Sequence, residues 1–163
     1  MKVIIIGAGE VGYHIADVLS HEGIDAVVVD KDEERLREIA ETLDVQTVVG
    51  SGSSPEVLKR AEITNADMVV AVTDSDETNM IACLLASTQS RIPIRIARIR
   101  NPELNGDNPL FSTEQLHIDL CINPEREAVN HMMDLLTYPG ASEVFSFAGG
   151  RIRLLGFGID GGA

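Results

Sequence analysis

The apolar run Val3-Ile4-Ile5-Ile6 passes directly into Gly7-Ala8-Gly9-Glu10-Val11-Gly12, and this in turn into a segment whose apolar positions Val11, Ile15, Val18 and Leu19 recur at helical spacing. A G-x-G-x-x-G string alone is weak. Placed between a strand apolar enough to be buried on both faces and the first turn of a helix, it restricts the chain to few folds. Each glycine has its own task there. Gly7 permits the tight turn out of the strand, Gly9 lets backbone approach a pyrophosphate, and Gly12 lets the helix pack close to the sheet. Glu10 and Val11 open the helix, whose first N–H groups and positive dipole end attract phosphate. A glycine turn with a purely structural role is the alternative.

The rest of the chain repeats the alternation. Ala26–Val29, Val45–Val49, Met68–Val72 and Ile94–Ile99 read as buried strands, and Leu116–Ile122 contains another. Between them, Asp32–Leu43, a short helix begun by Ser54-Pro55-Glu56, and Asp76–Ser87 read as helices, and Glu125–Leu136 as a last one. This pattern predicts an α/β, Rossmann-like, doubly wound parallel sheet. Tyr138-Pro139-Gly140-Ala141 then breaks it. Glu143–Phe147 and Ile152–Phe157 around Ala148-Gly149-Gly150-Arg151 read as a hairpin. A hairpin needs further partners, so the reading is a nucleotide-binding domain over 1–138, a linker and the start of a second small domain over 139–163, and a chain that is a fragment.

Polar residues at the carboxyl ends of these strands face the crevice where such sheets bind ligands. Asp30 stands 18 residues after Gly12, where an acid accepts hydrogen bonds from the adenosine ribose; as an alternative it caps the following helix. An acid there favours NAD over NADP, and neighbouring Lys31 softens the preference. Gly50 and Ser51 end the third strand, beside the place of the adenine, with ordinary turn chemistry as the equal alternative. Thr73 and Asp74 end the fourth strand, with Asn79 one helical turn on; ligand contact and N-capping by Asp74 or Ser75 can coexist there. Arg98, flanked by Arg95 and Arg100, can neutralise phosphate with paired hydrogen bonds, or form a local salt bridge.

Composition narrows the function. With 26 acidic against 13 basic residues, a net charge of −13 argues against general binding to nucleic acid or anionic membrane. No apolar run approaches the roughly 20 residues of a membrane span, and the amino terminus lacks the pattern of a signal peptide. Cys83 and Cys121 lie far apart in apolar surroundings and read as buried, reduced thiols of a cytosolic protein. The four histidines show no metal-ligand spacing, there is no Gly-x-Ser-x-Gly elbow, and neither Tyr13 nor Tyr138 is followed four residues later by lysine.

The glycine run, Val28-Val29-Asp30, the stretch Ala66-Asp67-Met68-Val69-Val70-Ala71-Val72-Thr73-Asp74-Ser75-Asp76-Glu77-Thr78-Asn79-Met80, and Arg95-Ile96-Ala97-Arg98-Ile99-Arg100 together resemble the RCK N-terminal family, the nucleotide-binding domains that regulate potassium transport. The resemblance covers about residues 1–140. It implies binding of NAD(H), or of ATP and ADP, in the crevice, with the position of Arg98 approaching the ligand phosphates. It implies a homodimer or higher oligomer on the cytoplasmic face of a membrane-embedded potassium-translocating subunit, gated by ligand exchange. It also implies a divalent cation at Glu125 at the dimer interface. Many relatives carry Gly-Asp where this chain has Gly50-Ser51, which bears on adenine-side binding. The stripe Val129, Met132, Met133 and Leu136 fits a helix crossing between subunits, or one packed on its own sheet.

Three functions are open at this point. A regulatory subunit needs a nucleotide site, an oligomer interface and a membrane partner, and no catalytic residues. An NAD-dependent oxidoreductase needs an acid or base beside the nicotinamide and a substrate domain that this chain lacks. A methyltransferase also uses an acid after the second strand, but the helix-opening glycine motif favours a pyrophosphate ligand.

Overall fold

The computed structural model describes residues 1–89, 94–104, 115–147 and 151–158. They fall into two compact units, Met1–Ile122 and Asn123–Ala163. The first is a six-stranded parallel sheet. Strand β1 (Lys2–Ile6) leads into helix α1 (Glu10–His21), β2 (Asp25–Asp30) into α2 (Glu33–Thr42), and β3 (Gln46–Val49) into α3 (Pro55–Arg60). Strand β4 (Met68–Ala71) is followed by α4 (Asp76–Gln89), then by β5 (Ile94–Arg98) and β6 (Leu120–Ile122). The strand order β3-β2-β1-β4-β5-β6 is parallel throughout. The chain builds outward from β1 in one direction as far as β3, then returns to add β4 on β1's other side. This reversal opens a crevice between the carboxyl ends of β1 and β4.

The period-2 alternation of the strands divides the core. Val3, Ile5, Ala26, Val28, Val70 and Val72 pack on one face with Ala16 of α1 and Leu36 and Ile39 of α2. Ile4, Ile6, Val27, Val29, Val69 and Ala71 pack on the other with Val57 and Leu58 of α3 and Ala82, Cys83 and Ala86 of α4. Both faces of β1 are therefore dry, which explains why its sequence reads as an unbroken apolar run. Element bounds agree with the sequence reading to within one or two residues, except that the sixth strand is confined to Leu120–Ile122.

Of the three arginines near β5, Arg95 has a structural task. Its Nε and Nη2 donate to Asp119 Oδ2 and Oδ1 at 2.9 and 3.1 Å, and its backbone N–H donates to Oδ2 at 2.8 Å, which fastens β5 to the segment entering β6. These hydrogen bonds from Arg95 hold the Asp119 carboxyl below the usual aspartate range. A carboxyl whose folded value is depressed stabilises the fold above the unfolded value, about 3.9, and that contribution disappears as pH falls through the lower folded value. Asp119→Asn is accordingly expected to lower the melting temperature at pH 7, by an amount equivalent to about 1 kcal/mol for a partly exposed charge-assisted pair. The gap between the two proteins should close as the pH approaches about 2, below the ordinary aspartate value.

Cys83 is fully buried, with its Sγ 3.7 Å from the Ile96 carbonyl oxygen that accepts from it. Burial pushes this thiol up to about 12. Cys121 is half-buried, so the expectation of two buried thiols holds only for Cys83; neither is in a disulfide. The folded chain at pH 8 should leave Cys83 unmodified by iodoacetamide until denaturant is added, as peptide mass mapping would show.

The second unit contains α5 (Pro124–Thr137) and an antiparallel hairpin of β7 (Ala141–Phe147) and β8 (Ile152–Phe157). The sequence reading keeps this helix with the sheet as far as residue 138, whereas the compact division groups it with β7, against which it lies. Asn123 caps α5 by accepting from the Arg126 N–H at 3.0 Å, and Pro124 occupies the first helical position. Val129, Met132, Met133 and Leu136 are all exposed. The pairs Phe145–Leu154 and Phe147–Ile152 put four exposed apolar side chains on one hairpin face, while Val144 on the other is buried. The connection 148–150 and the segment 159–163 lie outside the described residues. Among the described residues no helix is long and apolar enough to cross a membrane.

Candidate functional site

The glycine loop is held by the ends of three strands. The Gly7 N–H donates to the Val29 carbonyl at 2.8 Å. Gly7 has φ +112°, a conformation that favours glycine, and a Cβ there would stand 2.9 Å from the Thr73 backbone nitrogen. At Gly12 a Cβ would stand 1.8 Å from the Gly7 carbonyl oxygen. This contact lets α1 start close against the loop. A Cβ on Gly9 would meet nothing within 4 Å. Two of the three glycines are thus required by the fold, and the third faces open space.

That space is a crevice of about 840 Å³ over the carboxyl ends of the strands, large enough for a nucleotide. Gly7, Gly9, Glu10 and Val11 border its centre. Gly12 does not; it acts through packing. α1 begins at Glu10, so its first N–H groups, which have no partner within the helix, lie at this edge of the crevice.

On the β2 side, Asp30 Oδ2 accepts from the Ala8 N–H at 2.6 Å and Oδ1 from the Asp32 N–H at 2.9 Å. The carboxylate therefore ties the glycine loop to the second strand. The cap of α2 is Asp32, which accepts from the N–H groups of Glu34 and Arg35, so Asp30 does not serve as that cap. Each carboxylate oxygen has a second lone pair for a ribose hydroxyl. Lys31 borders the crevice too, with Arg35 and Glu38 one helical turn apart on α2.

Gly50 and Ser51 close this side. The Gly50 N–H donates to the Asp30 carbonyl at 2.7 Å. Ser51 does the work of a turn, its Oγ 2.8 Å from Ser53 Oγ and accepting from the Ser53 N–H at 3.3 Å, and it also lines the crevice with Gly52. A Cβ on Gly52 would stand 2.1 Å from Ile6 Cγ2, so any larger residue would have to push the Ile6 side chain aside.

On the β4 side, Thr73, Asp74 and Ser75 form the lip, with Thr78 on α4 and Tyr13 on α1 facing them. Ser75, not Asp74, caps α4, accepting from the Thr78 N–H at 3.1 Å. The expectation that Asn79 contacts ligand is corrected. Its side chain is wholly buried and does not line the crevice. Its Oδ1 accepts from the Thr73 N–H and hydroxyl at 2.9 and 2.7 Å, and its Nδ2 donates to the carbonyls of Thr73 and Arg98 at 3.1 and 2.8 Å. Asn79 is a clip that aligns the ends of β4 and β5, and it acts on the crevice only through Thr73 and Arg98.

Arg98 lines the crevice from β5, its side chain mostly buried, with Nη1 3.6 Å from Asp74 Oδ1. The salt-bridge reading of this arginine thus describes its contact with Asp74, and the same side chain borders the crevice. Arg100 serves the framework: it donates to the Asp74 carbonyl oxygen, and its N–H and that of Asn101 donate to buried Asp76 Oδ2 at 3.0 and 2.8 Å. Glu125 lies in the first turn of α5, in the other unit. Among the described residues there is no group of three or more His, Cys, Asp or Glu side chains that could hold a metal ion.

Sequence reasoning missed Tyr13, Arg35, Glu38 and Thr78 as crevice residues. Tyr13, Arg35 and Thr78 sit in the first turns of helices that begin at carboxyl ends of strands, and that placement was legible. Glu38 depends on how α2 curves over the opening.

The fold defines a Rossmann-like α/β domain with an open crevice at the carboxyl ends of its strands. Residues 3–124 match the family model described as the TrkA-N domain, and the chain belongs to that family. It is 46% identical over 155 residues to the Trk system potassium uptake protein TrkA of Halomonas elongata, covering 95% of this chain and 34% of that protein. It is 44% identical over 156 residues to the protein of the same name in Haemophilus influenzae, again covering 95% and 34%. The chain thus spans about a third of the length of these relatives. Among solved structures, the TrkA-N domain of the inner membrane protein ybaL from Escherichia coli has a TM-score of 0.72 at 21% identity, over 83% of this chain and 96% of that one. The GsuK channel bound to NAD has a TM-score of 0.67 at 20% identity, over 82% and 23%. The Shewanella denitrificans Kef CTD in its AMP-bound form has 0.65 at 21%, over 87% and 84%.

Proposed function

We propose that this chain is the nucleotide-sensing part of a regulator of Trk-type potassium uptake, and that it binds NAD(H), or ATP and ADP, in the crevice between β1 and β4. The observation that carries the reading is the contrast among the glycines. Gly7 and Gly12 are fixed by close contacts, while no described residue comes within 4 Å of a Cβ at Gly9, which stands at the N-terminus of α1. Asp30 would take the adenosine ribose, Lys31 and Arg35 would flank it, Ser51 would border the base, and Thr73, Asp74 and Arg98 would line the far end. The names of the relatives support the potassium-uptake role, and the NAD- and AMP-bound neighbours support the ligand class.

The regulator reading is favoured over the oxidoreductase one because the groups around the crevice suit binding and orienting a nucleotide and the relatives are named as potassium uptake proteins. As a sensor the chain works by population shift: a nucleotide biases the assembly only through its different affinity for two conformations. The translocating partner is a membrane protein, and this chain would act on it as a homo-oligomer from the cytoplasmic side. Exposed Val129, Met132, Met133 and Leu136 on α5 suit a contact between copies, and Glu125 would hold a divalent cation only with donors from a second copy.

Potassium flux into vesicles that carry the Trk translocating subunit tests the role. Addition of the full-length regulator should make the flux respond to NADH or ATP. A flux that the regulator leaves unchanged at every nucleotide concentration would overturn it.

A further inference from the structure

The carboxyl ends of β4 and β5 carry two acids and two arginines in different circumstances. Asp76 is buried; its Oδ2 accepts from two backbone N–H groups, and its Oδ1 lies 3.8 Å from Arg100 Nε. This inner set is part of the framework. Asp74 has 86% of its side chain exposed, and its carboxylate stands 3.6 Å from Arg98 Nη1, longer than a charge-assisted hydrogen bond. Its backbone, by contrast, is pinned by Arg100, which donates to the Asp74 carbonyl oxygen. Asp74 is thus an exposed carboxylate on a fixed stem, beside a mostly buried guanidinium. Both side chains line the crevice.

We propose that the Asp74 carboxylate occupies the place of a terminal phosphate at Arg98, and that a nucleotide must displace it, so that Asp74 sets how strongly the site distinguishes nucleotides by phosphate number. The proposal rests on the nucleotide reading of the crevice. β5 is two strands from β1 in the sheet, about 10 Å at the usual strand spacing. A phosphate seated at the glycine loop does not contend with Asp74. A second approaches it, and a third reaches the contact between Asp74 and Arg98. Two anions cannot share one guanidinium at close range without repulsion. The competition therefore rises with phosphate number, and an exposed carboxylate at 3.6 Å is cheap to displace.

Calorimetric titration of AMP, ADP and ATP into the chain, with and without Asp74→Asn, tests this. Asp74→Asn should tighten ATP at least fivefold, ADP less, and AMP by under twofold. Asp74→Ser should do the same, and thermal melts should show both variants folded. In an Arg98→Met background the gain for ATP should disappear, as a double-mutant cycle requires of a direct coupling. An equal gain for all three nucleotides would reduce Asp74 to a general negative charge and overturn the proposal. So would weaker ATP binding, which would make Asp74 a support for Arg98, or a gain that survives Arg98→Met. Failure of the unsubstituted chain to bind any of the three would instead overturn the reading of the crevice as a mononucleotide site, and this proposal with it.

Discussion

Gly12→Ala should destabilise the chain by about 3 kcal/mol or more, in the range of substitutions that force a packed backbone apart. The added Cβ would stand 1.8 Å from the Gly7 carbonyl oxygen and 3.6 Å from Ile5 Cγ2. The first is backbone and cannot rotate away. α1 would have to lift from the loop, which separates Ala16 from the face of β1 and β2 on which it is wholly buried. For a chain of this size the loss corresponds to roughly 10 °C in melting temperature. Thermal denaturation followed by circular dichroism reads it directly. A melting temperature within about 2 °C of the unsubstituted chain, roughly 0.5–1 kcal/mol, would mean that α1 does not depend on this approach.

Gly9→Val should do the opposite: leave the melting temperature nearly unchanged and remove nucleotide binding. Nothing lies within 4 Å of a Cβ at Gly9, and its φ of −75° with ψ of −172° is open to any residue. An isopropyl group there stands in the path of the phosphate toward the α1 N–H groups. Affinity should fall at least 100-fold, about 2.7 kcal/mol. The pair of substitutions separates two roles that one motif combines. A loss of stability at Gly9, or undiminished binding by the valine variant, would contradict the assignment. Asp30→Ala is less clean, because it also strips the Ala8 and Asp32 N–H groups of their acceptor; it should weaken binding and lower stability together.

How much of this was legible in the sequence depends on the range of the interaction. The β1 run and the glycine motif are local signals with strict steric meaning, and with the strand–helix alternation they point to the fold class, whereas the strand order is seen only in the structure. Asp30 was legible as the end of the second strand at the crevice, but its tie to the Ala8 N–H was not foreseen, because nothing in residues 28–32 reveals the path of the glycine loop. Asn79 misled for the same reason. An amide near the edge of a crevice resembles a ligand contact until its four hydrogen bonds to Thr73 and Arg98 are seen. What α5 packs on was also hidden, since helical periodicity states that a face is apolar and not what covers it. The three arginines of the β5 segment could not be told apart by type; partners brought from β4, α4 and the approach to β6 give each a different task.

The central claim is that the crevice binds an adenine nucleotide, and the most direct measurement is calorimetric titration of NADH, NAD, ATP and ADP into the folded 163-residue chain. The account predicts saturable one-site binding of at least one of them, abolished by Gly9→Val. Absence of binding by all four, from a chain that melts cooperatively, would contradict it and leave the glycine motif with a structural role alone.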